Sequence, residues 1–98
     1  MNITDLLSDK NLKSVEKRKL IVSLLVSGEL TIAKLPKLND KQTGIVLEAM
    51  EEISQKDSEI IDENWLKFAE NHVDSEDNTL KRESARVIGN MLINFPKS

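Results

Sequence analysis

The stretch LKRESARVIGNML, Leu80–Leu92, decides how the rest of the chain is read. Leu80, Ser84, Val87, Ile88 and Met91 recur at spacings of three and four, which is one face of a helix with 3.6 residues per turn. Phe95 continues that stripe, and Pro96, which can neither donate a backbone hydrogen bond nor fit a helix interior, ends it. Beside the stripe, Ala85, Gly89 and Leu92 form a second, narrower face of mostly small residues. A glycine inside a helix costs about 1 kcal/mol relative to alanine, so Gly89 predicts an offsetting gain, namely the close approach of another helix backbone. A surface helix needs only one apolar stripe. Two adjacent faces predict a helix packed against two neighbours, and with them an all-α fold.

Outward from that helix the same periodicity recurs, whereas alternating strand patterns and Asn-Gly or Asp-Gly hairpin turns do not. Six helices are expected. The first, about Ile3 to Ser8, points Leu6 and Leu7 inward. The second, about Val15 to Ser27, has Ser14 as its cap and Gly28 as its left-handed end, with Leu20, Ile21, Leu24 and Leu25 buried and Val22 and Val26 widening that face. The third, about Thr31 to Leu38, is interrupted by Pro36 and should kink or end early. The fourth, Asp40 to about Gln55, opens on a capping box, Asn39 with Gln42, and turns Val46, Ala49, Met50 and Ile53 inward. The fifth, about Glu59 to Val73, places Ile61, Trp65, Phe68, Ala69 and His72 on one side and Glu59, Glu63, Lys67 and Glu70 on the other. The sixth follows DSEDN, residues 74–78.

The six fall into three pairs, each with a longer second member: KRKLIVSLLV, KQTGIVLEAMEEI and KRESARVIGNML. Their leading residues Lys17, Lys41 and Lys81 are 24 and 40 residues apart, so the period is irregular. The last third, WLKFAENHVDSEDNTLKRESARVIGNML, resembles a HEAT or armadillo-type repeat. Asp77 and Asn78 stand in its turn, and Arg82, Ala85, Gly89 and Leu92 fit the pattern of its second helix. Pro36 matches the proline kink of first helices in such repeats. The middle unit has Asn39-Asp40 in its turn but Thr43-Gly44 where an arginine and a small residue are expected, and the first unit has no aspartate-arginine pair. The resemblance implies a short right-handed α-solenoid of about three antiparallel helix pairs, one HEAT-like domain over residues 1–98. Each pair cannot bury its apolar face alone, so the pairs share a core. Leu24, Leu25, Val46, Met50, Trp65, Phe68, Ile88 and Met91 are expected within it.

Composition narrows the chemistry. Ninety-eight residues make one small domain, burying roughly 60–70% of the unfolded surface. With no cysteine there is no disulfide, thiolate zinc site or cysteine nucleophile, which suits a reducing, cytoplasmic setting. The amino terminus lacks the basic and apolar regions of a signal peptide. The longest apolar run, LIVSLLV at Leu20–Val26, is far short of the ~20 residues that span a bilayer. Net charge is −3: residues 1–37 carry seven Lys/Arg against four Asp/Glu, residues 38–98 seven against thirteen. That acidic body argues against general phosphate-backbone binding. The basic segment KNLKSVEKRK, Lys10–Lys19, reads as the exposed start of a helix.

Catalytic and ligand signals are weak. The single histidine, His72, lies on an apolar face and reads as a packed residue. No His/Asp/Glu set has metal-ligand spacing, and the three glycines are too isolated to cradle a phosphate. Glu48, Glu51, Glu52, Asp57 and Glu59 read as a solvated face rather than a desolvated acid–base pair. Tyrosine is absent and no serine sits in a nucleophile elbow. No cofactor or metal is indicated. The expected function is non-enzymatic: a protein-binding adaptor or scaffold whose second helices line the concave side. Glu48, Glu52, Arg82, Arg86 and Asn90 are the candidate contacts. Arg82 and Arg86, one turn apart, equally suit a ladder with Glu83. The alternative is a DNA-binding helix-turn-helix whose recognition helix begins near Asp40 and presents Lys41, Gln42 and Thr43. Against it, Glu48, Glu51 and Glu52 would repel phosphates and no hairpin wing follows.

Overall fold

The computed structural model describes residues 3–94, with the side chains of residues 3–92. Phe95 and Pro96, expected at the end of the last helix, lie outside the described residues. Among those described, every regular element is helical: α1 (Ile3–Ser8), α2 (Ser14–Ser27), α3 (Asp40–Lys56), α4 (Glu63–Glu70) and α5 (Asn78–Asn94), with 3₁₀ turns at Ile32–Lys34 and Ser58–Ile60. Five α-helices thus replace the six expected: one forms only a 3₁₀ turn and another is shortened, each for a local reason.

The first is at Pro36. The preceding Leu35 takes φ −68°, ψ 129°, the extended region to which a following proline confines a residue. Only one turn of the third predicted helix forms. The second is at Asp62, whose carboxylate accepts from the Trp65 backbone N–H at 2.9 Å. That cap starts α4 at Glu63 and leaves Ile61 extended and buried, so the helix expected from Glu59 is cut in two. At its far end, His72 N–H donates to Ala69 O and Val73 N–H to Glu70 O. These i→i−3 bonds close tight turns instead of continuing the α-helix.

The longer helices begin and end where side chains satisfy the orphan backbone groups. Asn39 and Gln42 form the expected reciprocal box: Gln42 N–H donates to Asn39 Oδ1 at 2.8 Å, and Asn39 N–H to Gln42 Oε1 at 3.1 Å. Asp77 Oδ1 accepts from Thr79 and Leu80 N–H at 2.9 and 3.1 Å at the head of α5. The cap of α2 is Lys13 rather than Ser14, which is the first helical residue; Glu16 Oε1 accepts from Lys13 N–H at 3.2 Å. Gly28 ends α2 at φ 80°, a conformation that costs glycine nothing.

The core is organised around α3, which packs against α2 on one side and most extensively against α5 on the other. Helix α4 packs on α5 and on the 3₁₀ turn Ile32–Lys34, and α1 on α2. The expected stripe Val46, Ala49, Met50 and Ile53 is buried, and so are Ile45 and Leu47, because α3 is flanked on both sides. Leu25, Trp65 and Met91 are buried as expected; Leu24, Phe68 and Ile88 are half-buried at the margin. In α2 only Ile21 and Leu25 are buried, while Leu20 and Val26 are exposed, contrary to the wide inward face expected.

The glycines reverse the expectation from the opening stretch. Nothing lies within 4 Å of where a Cβ of Gly89 would sit, Ala85 is exposed and Leu92 is 68% exposed. No second helix covers that face among the described residues. The close approach occurs at Gly44 of α3, where a Cβ would meet Leu80 Cδ2 and Thr79 Cγ2 at 3.6 Å.

Candidate interaction surface

The five candidate contacts are distributed over α3 and α5, the two helices that pack most closely. Glu52 is held from two sides: Arg18 Nε of α2 lies 3.5 Å from Oε1, and Lys56 Nζ lies 3.8 Å from Oε2 one turn on. Glu48 sits one turn earlier, half-buried. Its carboxyl pKa is raised above the ordinary 4.5, first by desolvation and then by the charge of Glu83, with Arg18 and Arg82 pulling the other way. Across the helix pair, Glu83 is buried (5% exposed) and accepts from Arg82 Nε at 3.2 Å and Arg86 Nη1 at 3.3 Å. The arginines themselves are exposed, so the ladder holds the carboxylate while leaving both guanidinium groups in contact with solvent.

Asn90 has a different job. Its side-chain amide donates to Ser54 Oγ at 3.0 Å and lies 3.5 Å from Glu51 O, tying α5 to α3. Four of the five candidates, Glu48, Glu52, Arg82 and Arg86, therefore belong to one charged band with Arg18 and Glu83, and Asn90 lies in the helix seam beneath it. Glu83, expected only as the ladder partner of the two arginines, is the buried member of the band. Its position three after Leu80 and four before Val87 puts it on the flank of the apolar stripe, and that spacing was the available signal.

Beside the band, the starts of α2, α3 and α5 open on a cleft of about 460 Å³ lined by Ser14, Asp40, Lys41, Gly44, Glu48 and Thr79 among others. Three helix amino termini favour an anion there, but Asp40, Glu48 and Asp77 already supply negative charge. No group of three or more His, Asp or Glu among the described residues could hold a metal ion. His72 packs edge-on against Phe68 at 5.1 Å between ring centroids, and Phe68 against Trp65 at 6.0 Å, a short aromatic run at the edge of α4. Two cations of the basic segment are engaged: Lys17 Nζ donates to Leu7 O at 2.8 Å, and Arg18 faces Glu52. Gln42 is committed to the capping box, and Thr43 is buried with its hydroxyl donating to Asn39 O at 2.8 Å. No helix among the described residues is long and apolar enough to cross a membrane.

No protein-family model matches the chain, and neither a curated protein nor a solved structure shows significant similarity to it.

Proposed function

We propose that the chain is a non-enzymatic, cytoplasmic protein-interaction module, an adaptor or scaffold built from HEAT-like repeats. The observation that carries this reading is the neighbour order of the long helices. α2, α3 and α5 lie side by side with α3 in the middle, as the inner helices of three stacked pairs would. On this reading α1 and α4, which pack on α2 and α5, are outer members, and the 3₁₀ turn Ile32–Lys34, which packs on α4, is the remnant of the middle one, shortened by Pro36. On this reading the band of Glu48, Glu52, Arg82 and Arg86, bordered by Arg18, is the binding face, and Asn90 supports it from below.

The DNA-binding alternative draws less support. Of the three residues it would present to bases, only Lys41 has an uncommitted side chain, and α3 is flanked by helices on both sides. Affinity capture with the full chain tests the main reading. A specific protein partner should be retained by the wild type and lost from the Arg82→Glu/Arg86→Glu variant. Equal retention by both would overturn the assignment of this face, and a salt-sensitive shift of random duplex DNA would favour the alternative.

A further inference from the structure

The two helices that flank α3 each carry an uncovered apolar surface, and each surface holds a single charge, opposite in sign to the other. Between α4 and α5 an apolar groove of about 340 Å³ is lined by Leu66, Ile88, Met91 and Leu92, with Glu70 as its charged lining residue. Leu92 follows Asn90, the tie between α5 and α3, by two residues, and so lies roughly 200° around the helix from that tie. The groove therefore opens away from α3. On α2, Val15, Lys19, Val22 and Val26 recur at spacings of four, three and four, which is one side of a helix. This stripe lies outside the face that α2 buries through Ile21 and Leu25. Val15 is 51% and Val26 59% exposed, Lys19 is exposed, and Val22 packs at the margin of the core. Neither Lys19 nor Glu70 forms an ion pair among the described residues.

We propose that these two surfaces bind each other: the α2 stripe of one copy of the chain docks in the α4–α5 groove of a second copy. The three valines of the stripe would lie against Leu66, Ile88 and Leu92, and Lys19 would face Glu70. Charge selects this contact over a pairing of like surfaces. Residues 1–37 carry seven Lys/Arg against four Asp/Glu, and residues 38–98 seven against thirteen. A head-to-tail contact therefore sets the basic end of one copy on the acidic body of the next. A two-fold pairing of α2 with α2 would instead bring both Lys19 side chains and both basic ends into one seam. The head-to-tail contact is heterologous: every assembly keeps one free stripe and one free groove, so it grows beyond a dimer. A seam of about 17 Å is short for a protein interface, so assembly depends on concentration. The inference goes beyond the adaptor reading and does not rest on it, since Glu48, Glu52, Asn90 and the arginine ladder take no part.

Sedimentation velocity on the full chain tests this, over about 10 µM to about 1 mM, the range in which a small interface associates. The average mass should rise with concentration past that of a dimer. Leu92→Asp and Val15→Asp/Val26→Asp should each weaken association at least about tenfold, as loss of an apolar anchor does. The first spoils only the groove and the second only the stripe, so an equimolar mixture of the two should form a mixed dimer and nothing larger. Lys19→Glu and Glu70→Lys should each weaken assembly, and the two combined in one chain should restore it. Leu20→Asp, on the side of α2 that faces Leu6, should assemble as the wild type does. All these positions are exposed, so the variants keep the fold, which circular dichroism verifies. A monomer throughout the range, a mixture no larger than its components, a dimer that survives Leu92→Asp, or equal losses from Leu20→Asp and Leu92→Asp would overturn the proposal. Arg82→Glu/Arg86→Glu should assemble normally, so partner capture and self-assembly fail separately.

Discussion

Helices α3 and α5 are each seventeen residues long, each is started by an Asx side chain, and each contains a glycine. They differ in what surrounds them. α3 is enclosed between α2 and α5, and its glycine lies against Leu80 and Thr79. α5 packs against α3 and α4, and its glycine faces open space. Each helix packs against two neighbouring helices, but only in α3 does the glycine lie at a contact; which face a neighbour covers is set by the helix's place among the others, and a small residue in an apolar stripe does not reveal it.

The largest expected effect breaks this comparison at the two leucines. Leu47 of α3 has no exposed surface, whereas Leu92 of α5 is 68% exposed. Leu47→Ala should therefore destabilise the fold by about 2–5 kcal/mol through lost burial and a residual cavity, and Leu92→Ala by less than about 0.5 kcal/mol. Urea unfolding of the two variants, compared at constant slope, measures the gap. If Leu92→Ala costs as much as Leu47→Ala, α5 has a covering neighbour after all.

The glycines sharpen the comparison at intermediate size. Gly89→Ala enters open space in a helix interior, and should stabilise by about 0.5–1 kcal/mol through backbone entropy and helix propensity. At Gly44 an alanine Cβ would be in ordinary contact at 3.6 Å, so alanine is accommodated there too. A longer side chain is not: Gly44→Leu should displace Leu80 and Thr79 and cost about 1–3 kcal/mol by overpacking, while Gly89→Leu should be close to neutral. Thermal melts of the four variants give the order.

The smallest effect lies between the two helices. The folded-state pKa of Glu48 is raised above its ordinary 4.5 by desolvation and by Glu83. The folded protein therefore holds that proton more tightly than the unfolded chain. The associated stabilisation is full below pH 4.5, and is lost as pH rises through the raised value. Glu48→Gln should be more stable than wild type at pH 7 by a few tenths of a kcal/mol, the size of a solvent-screened interaction. That advantage should vanish on acidification. A difference that grew instead as pH fell would mean that Arg18 and Arg82 outweigh burial at this site.

Much of the local structure was legible in the residues. The Asn39–Gln42 box, the Gly28 terminus, the early stop before Pro36 and the inward stripes of α3 and α5 follow from spacing and cap chemistry, because they involve groups within about four residues of one another. Asp62 is equally local: its cap on Trp65 N–H outweighs the continuous helical periodicity from Glu59. The candidate surface was half legible. Arg82 and Arg86 do form a ladder with Glu83, but the burial of Glu83 and the use of Asn90 as a tie to Ser54 depend on α3 lying alongside.

The sequence by itself determined an all-helical chain, most of its helix ends and the apolar stripe of each long helix, since these arise from backbone sterics, capping and periodicity along one segment. Only the tertiary structure decided which stripes meet. It put Gly44 rather than Gly89 at the close contact, left one side of α2 and one side of α5 uncovered among the described residues, and gathered Arg18, Glu48, Glu52 and Glu83 into one band. The physical reason is that packing follows from the shapes and neighbours of whole helices, and an apolar residue is favoured by burial of any kind, so its presence in a stripe does not specify what buries it.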